Sequence, residues 1–435
     1  MTDGPTRTVL VLAYSISPVR GSEYAVGWNY VKHMSERHKL IVLYGLAGDH
    51  MGDAHEIEAY CGPVSDRAQF VFVKPSWLAR TINSLNTRGL LPFSFYPAYR
   101  LWHKSAARQA KAIAQTNTID VVHYLCPIGF REPGYLRELD KPYIWGPIGG
   151  IAPRPARLFF GLGFAAGVKT VARNLVNAVQ FRFVPRVARA IRETDLLLAA
   201  TSENAEQIAH VYGRTTIVLP ENALDDHVES APSKVEIAQC GSHEPLRLVW
   251  VGTLEARKAI TLLLRALALL PPGLWRLDVV GAGPLLDQAK AEAALRGIGG
   301  QITWHGKVAR SEAVRCFRNA DLHILTSLAE AHSTVLWEAM GLGVPTVAFD
   351  HCGMRDSLAD GGGVKVPMGS LDEMVASLAD TLATLSADRA ALYRLKDGVQ
   401  GVVERYSWSR RVRFWEDMYR LAINIHEQKA SERAS

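Results

Sequence analysis

Apolar residues in this chain fall into short unbroken runs, and the stretches between them repeat apolar positions at helical spacing. Residues 9–13 (VLVLA) form the first run. A turn containing glycine follows, then a helical pattern over about 22–36. Further strands are expected at 39–44, 70–73, 119–124 and 143–145, with 195–199 closing this first sheet. Continuous rather than alternating apolar strands, each followed by a helix, predict parallel sheets covered on both faces. The rhythm breaks at 222–245, which is polar and carries Pro and Gly. It restarts at 246–252 and runs through a helix near 260–270, a strand at 275–280, a helix near 285–296 and a strand at 302–305. A helix near 311–319 and strands at 322–326 and 345–349 complete the second series. Residues 407–427 read as an amphipathic helix. The fold class is therefore α/β, with two Rossmann-like doubly wound domains in tandem. Domain one is expected over 1–222, a linker over 223–245 and domain two over 246–406. Such sheets bind ligands at the carboxyl ends of their strands, so two of them face to face would offer one cleft.

Charge sharpens this picture. The 435 residues carry 49 Lys and Arg against 43 Asp and Glu. Residues 1–222 hold 25 cations and 17 acids. Within them, 67–119 contain eight cations and no acid, and 141–192 contain nine and no acid. One-sided fields attract anionic partners. Trp77, Leu78, Phe93, Phe95, Tyr96, Leu158, Phe159, Phe160 and Phe164 are interleaved with these cations, which suits anionic lipid headgroups better than a solvated face. No nucleic-acid readout module is visible. No apolar run reaches the ~18–20 residues of a membrane span. The first run reads as a strand rather than a leader. The five cysteines make no CxxC pair, so neither a disulfide framework nor a zinc site is indicated. A cytoplasmic, reduced protein is expected, with peripheral contact at the inner membrane face.

Candidate chemistry concentrates in the strand-to-helix loops. In SLAEAHSTVLWEAMGLGVP (327–345), Ser333 or Thr334 is a good N-cap, which would aim free amides and a positive dipole end at a diphosphate. Glu338 suits the vicinal hydroxyls of a ribose, and Glu330 suits hydroxyls further along. Gly281 and Gly283 lack the third glycine of a dinucleotide fingerprint, since Leu286 stands there. They read as a tight turn near a nucleotide base.

The two glutamates followed by EAMGLGVPTVA resemble the retaining family 4 glycosyltransferases of the GT-B fold. So do VVGAGP (279–284), ITWHGKVARSEAVRCFRNADLHILTS (302–327) and PENALD (220–225). RGSEYAVGW (20–28), DVVHY (120–124) and PYIWGPIGG (142–150) agree in order and spacing. The resemblance implies a C-terminal helix, about 407–428, that returns to the first domain. It implies that Glu338 holds the donor ribose and Glu330 the transferred sugar, while the amides of Ser333, Thr334 and Val335 meet sugar or phosphate oxygens. Gly252, Arg257 and Lys258 would line the diphosphate site, with Gly21 approaching the donor from the first domain. Two positions depart from the family pattern. Thr253 stands where the family carries Arg, and Ala259 where it carries a second Gly; Arg257 is the adjacent cation. His123, at a strand end, is implied as a proton or hydrogen-bond partner for a sugar hydroxyl, alongside Glu330 and Lys258 as catalytic groups. Gly149, Gly150 and Arg154 are expected on the acceptor side.

The resemblance implies a retaining hexosyltransferase-type enzyme that needs neither metal nor cofactor. Its donor would be a nucleoside-diphosphate sugar of UDP or GDP type. Its acceptor would be a saccharide or lipid-linked saccharide in polysaccharide or glycoconjugate biosynthesis. A sugar-nucleotide epimerase of the same fold, and a non-catalytic sugar-nucleotide-binding partner subunit, are the alternatives.

Overall fold

The unbroken apolar runs become the strands of two parallel sheets in the computed structural model, which describes residues 5–21, 23–225, 244–359 and 361–435. The first sheet holds β1 (Thr8–Ala13), β2 (Lys39–Tyr44), β3 (Ala68–Phe72), β4 (Val121–Cys126), β5 (Tyr143–Ile148), β6 (Leu196–Ala199) and β7 (Ile217–Val218). Its order is β3-β2-β1-β4-β5-β6-β7. The run at 195–199 therefore does not close the sheet, because the two-residue β7 pairs beyond it. The second sheet holds β8 (Leu246–Val251), β9 (Trp275–Val280), β10 (Ile302–Gly306), β11 (Leu322–Leu325), β12 (Thr346–Phe349) and β13 (Gly363–Val366), in the order β10-β9-β8-β11-β12-β13. All described pairings are parallel. β1, β4, β5 and β11 are buried along almost their whole length, as helices on both faces require.

Contacts divide the chain into two compact units. The first comprises Met1–Ala152, Asn177–Glu221 and Arg411–Ser435; the second comprises Pro153–Val176 and Asn222–Arg410. This differs from the expected boundary in one respect. Residues 153–176, read as part of domain one, belong to the second unit. The reason is apolar: Leu158 and Phe159, on the helix Ala156–Leu162, are buried in the same core as Leu254, Ala259, Leu264 and Leu378. Of the expected linker 223–245, residues 226–243 lie outside the described residues.

The helix Trp408–Ala434 does return to the first unit. Trp415 and Tyr419 are buried there. Trp415 packs its ring on Tyr30 at 5.7 Å and on His123 at 4.6 Å between centroids, and the Tyr30 and Tyr419 hydroxyls bond to each other. Near the helix end, Asp195 accepts from His426 Nδ1 at 3.1 Å, Lys429 Nζ at 2.9 Å and the Tyr143 amide at 3.0 Å. One carboxylate thus pins the helix to the amino ends of β5 and β6. Replacing Trp415 by Ala should destabilise the first unit by about 3–5 kcal/mol, the usual range for emptying an aromatic site. Urea unfolding followed by far-UV circular dichroism checks this.

Candidate functional site

The strand order of the second sheet reverses between β8 and β11, so the loops leaving these neighbours open side by side at the carboxyl edge. The β8 loop is braced from one flank by the loop after β9. Gly252 N donates to Val280 O at 3.0 Å, and Leu254 N donates to Ala282 O at 3.1 Å. Gly281 has φ +135°, and a Cβ there would stand 1.9 Å from the Gly252 carbonyl oxygen. A Cβ on Gly283 would stand 2.5 Å from the Leu254 oxygen. These two glycines therefore form the tight turn read from the sequence, and its visible work is to let two loop backbones touch. Gly252 in turn lies over the methylene stem of Lys258.

The loop then makes a 3-10 turn at Ala256–Lys258 and passes through Ala259 in the left-handed region, at φ 45°, ψ 42°. A glycine would hold that conformation freely; alanine pays on the order of 1–2 kcal/mol. The turn is stitched to β11 and its loop. Thr326 Oγ1 donates to Lys258 O at 2.8 Å, Trp250 Nε1 donates to Thr326 Oγ1 at 3.2 Å, and Leu328 N donates to Arg257 O at 2.8 Å. The side chains converge as the backbone does. The Lys258 ammonium is buried against the Glu330 carboxylate. Arg257 reaches the same Glu330 oxygen at 2.7 Å and ties its Nε to Glu255 at 2.7 Å. Thr253 is exposed and outside this cluster.

Glu330 is held in place from the β12 side. His351 Nε2 donates to Leu328 O at 3.1 Å, and His332 Nδ1 lies 2.9 Å from Ser357 Oγ. A Cβ on Gly353 would stand 1.7 Å from the Ala331 oxygen. Sequence reasoning did not single out His351, Gly353 or Ser357. The polar cluster DHCG directly after a strand was the available signal.

Ser333 takes the N-cap position of the helix Thr334–Gly341, and its side chain makes no cap bond. The Leu336 amide is used by Ser333 O at 3.0 Å. Thr334 and Val335 form the half-buried first turn. Glu338 lies about one turn further, half-exposed, with Arg310 at 3.2 Å. Burial raises its pKa above the usual carboxylate range, and Arg310 opposes that rise. The two glutamates therefore answer to different cations.

Residues 236–393 match the family model described as glycosyl transferases group 1. A D-inositol 3-phosphate glycosyltransferase of Nocardia farcinica is 29% identical over 250 residues, covering 54% of each chain. The chain thus spans about half the length of that relative. Among solved structures, the lipopolysaccharide outer core galactosyltransferase WaaB in its apo form superposes with a TM-score of 0.59 at 16% identity. The alignment covers 94% of this chain and 99% of that one. Anabaena HepE in complex with UDP gives 0.57 at 17% identity, covering 98% and 99%. These likenesses show the GT-B fold: two parallel-sheet Rossmann-like domains.

Gly21 is exposed in the first unit with open space where a Cβ would point, beside Arg20, which pairs with Glu56 and Asp49 at 2.6 Å each. Arg154 was expected among acceptor-side residues of the first domain and belongs to the second unit. His123 was expected to face a ligand. Instead it is fully buried in the first unit, one partner to each ring nitrogen: Tyr30 OH at 3.1 Å and Gly146 O at 3.0 Å. It sits mid-strand, opposite Val11 of β1, rather than at the strand mouth.

Burial lowers the His123 pKa to about 4. Below pH ~6.5 the unfolded imidazole takes a proton that the folded one refuses until about pH 4. Stability is therefore complete above pH ~6.5 and falls as pH drops, by about 1.4 kcal/mol per unit for this group. His103 and His323 are lowered to about 3 by burial and add to the same trend. Unfolding free energies measured from pH 7 to pH 4 should fall less steeply in His123→Gln, by that amount per unit.

Proposed function

We propose that the chain transfers a sugar from a nucleoside-diphosphate donor, of UDP or GDP type, to an acceptor hydroxyl with retention at the anomeric carbon. One observation carries the reading: Lys258, Arg257 and Glu330 are gathered where the β8 and β11 loops meet, next to a helix end whose N-cap side chain makes no cap bond. Fixed cations and a helix dipole stabilise the charge that develops on a leaving diphosphate, which is the term a metal would otherwise supply. Neither metal nor organic cofactor has a part in this chemistry. Glu338 would hold the ribose, and Glu330 a hydroxyl of the transferred sugar. The Glu330 oxygen bound by two cations is a weak nucleophile, which supports front-side attack over a covalent intermediate. The acceptor oxygen bonds to the anomeric carbon on the face the diphosphate leaves. The acceptor proton passes to a departing phosphate oxygen. HepE is bound to UDP in its structure, and this favours UDP as the first donor nucleotide to test.

A lipid-linked acceptor is the second part of the proposal. Trp77, Leu78, Leu90, Leu91 and Phe93 are exposed on the helix Trp77–Thr87 and the turn after it, in a stretch with Lys74, Arg80 and Arg88 and no acid. Amphipathic surface of this kind suits an anionic bilayer. The expected apolar set is smaller than the sequence suggested, because Leu158 and Phe159 are core and Tyr96 pairs with Arg131 at 2.6 Å. No helix among the described residues is long and apolar enough to cross a membrane. The proposed location is therefore peripheral, at the cytoplasmic face.

A thermal-shift panel of UDP, GDP, ADP and TDP tests the donor site. One nucleotide should stabilise the wild type by RT ln(1 + [L]/Kd) and stabilise Glu338→Ala by clearly less. No shift with any of the four would end the donor assignment. Co-sedimentation with vesicles containing phosphatidylglycerol tests the surface. Binding at low salt should drop at least ~tenfold in the Trp77→Ala, Phe93→Ala double variant, since each large apolar side chain contributes about 1.5–3 kcal/mol when buried.

A further inference from the structure

The uncharged Thr253 stands in the same loop as the cations of the candidate site. Arg257 is the neighbour in sequence, yet it is committed to Glu255 and Glu330. Arg154 arrives from a distant part of the chain. Its backbone is clasped on both sides by one side chain: the Arg154 amide donates to Asn174 Oδ1 at 3.0 Å, and Asn174 Nδ2 donates to the Arg154 carbonyl at 2.8 Å. The helix Ala156–Leu162 that follows packs on the 3-10 turn Ala256–Lys258, with Leu158 and Phe159 in the core that contains Leu254 and Ala259. Arg154 is half-buried, and its guanidinium makes no hydrogen bond or ion pair with the described residues. Burial and then the charge of Arg257 lower its pKa, while Glu330 and Glu255 act in the opposite sense.

Resting on the nucleotide-sugar reading, we propose that Arg154, supplied from residues 153–176, is a further cation of the diphosphate site beside Lys258 and Arg257. A half-buried guanidinium with no directly bonded anion among the described residues is costly to keep, and a phosphate oxygen would supply a bonded partner. Arg suits this place because its planar fork can bond two phosphate oxygens at once.

Calorimetric titration of UDP, uridine and inorganic pyrophosphate into wild type, Arg154→Gln, Arg154→Lys and Arg257→Gln tests it. If the nucleotide panel selects GDP, GDP and guanosine replace the uridine pair. Arg154→Gln should weaken diphosphate and pyrophosphate about tenfold to a hundredfold and leave nucleoside binding unchanged. Its unliganded unfolding midpoint should match the wild type, and Arg154→Lys should recover part of the loss. Equal diphosphate affinity in wild type and Arg154→Gln overturns the assignment and leaves the donor reading standing. A selective loss in Arg257→Gln instead transfers the role to Arg257 and also overturns it. If no nucleotide binds the wild type, the donor reading falls and this inference with it.

Discussion

A single carboxylate oxygen organises the second unit. Glu330 Oε1 meets both the buried Lys258 and Arg257, and without that acid Lys258 would be an uncompensated charge in the protein interior. Breaking one side of a buried pair of this kind costs about 3–5 kcal/mol. The surrounding bonds serve that contact. Thr326 fixes the carbonyl of Lys258, Leu328 binds the carbonyl of Arg257, and His351 holds the far side of the same loop. These bonds hold both cations in place from within the unit itself.

The fold was legible wherever strands are buried on both faces. Residues 9–13 and 40–43 announce themselves because nothing polar interrupts them. Other elements were harder. β13 at Gly363–Val366 is short and half-buried, so its pattern is weak. The helix Leu371–Ala387 did carry a readable start, Ser370 with Glu373 in a capping box, which the rhythm of strands overshadowed. Assigning 153–176 to the second unit was beyond sequence reasoning. Leu158 and Phe159 look apolar from either side of a boundary, and only packing says which core they fill.

The site was legible in the same uneven way. Glu330, Lys258 and the helix cap at Ser333 sit in loops whose motifs fix their place relative to a strand, and the structure brings Lys258 and Glu330 into contact. His123 misled because period-two alternation carries no information in a strand covered on both faces; residues there are buried whichever way they point. Arg154 was visible as a cation but not as one within electrostatic reach of Glu330, because a long stretch of chain separates them.

That separation has a practical consequence for anyone dissecting the molecule. A fragment beginning at residue 246 would look like a natural cut, since the second series of strands starts there. It would omit the Leu158 and Phe159 side chains from the interior they help fill, and leave apolar surface on Leu254 and Ala259 facing water. Expressing that half on its own would call for a graft of 153–176, not a simple truncation.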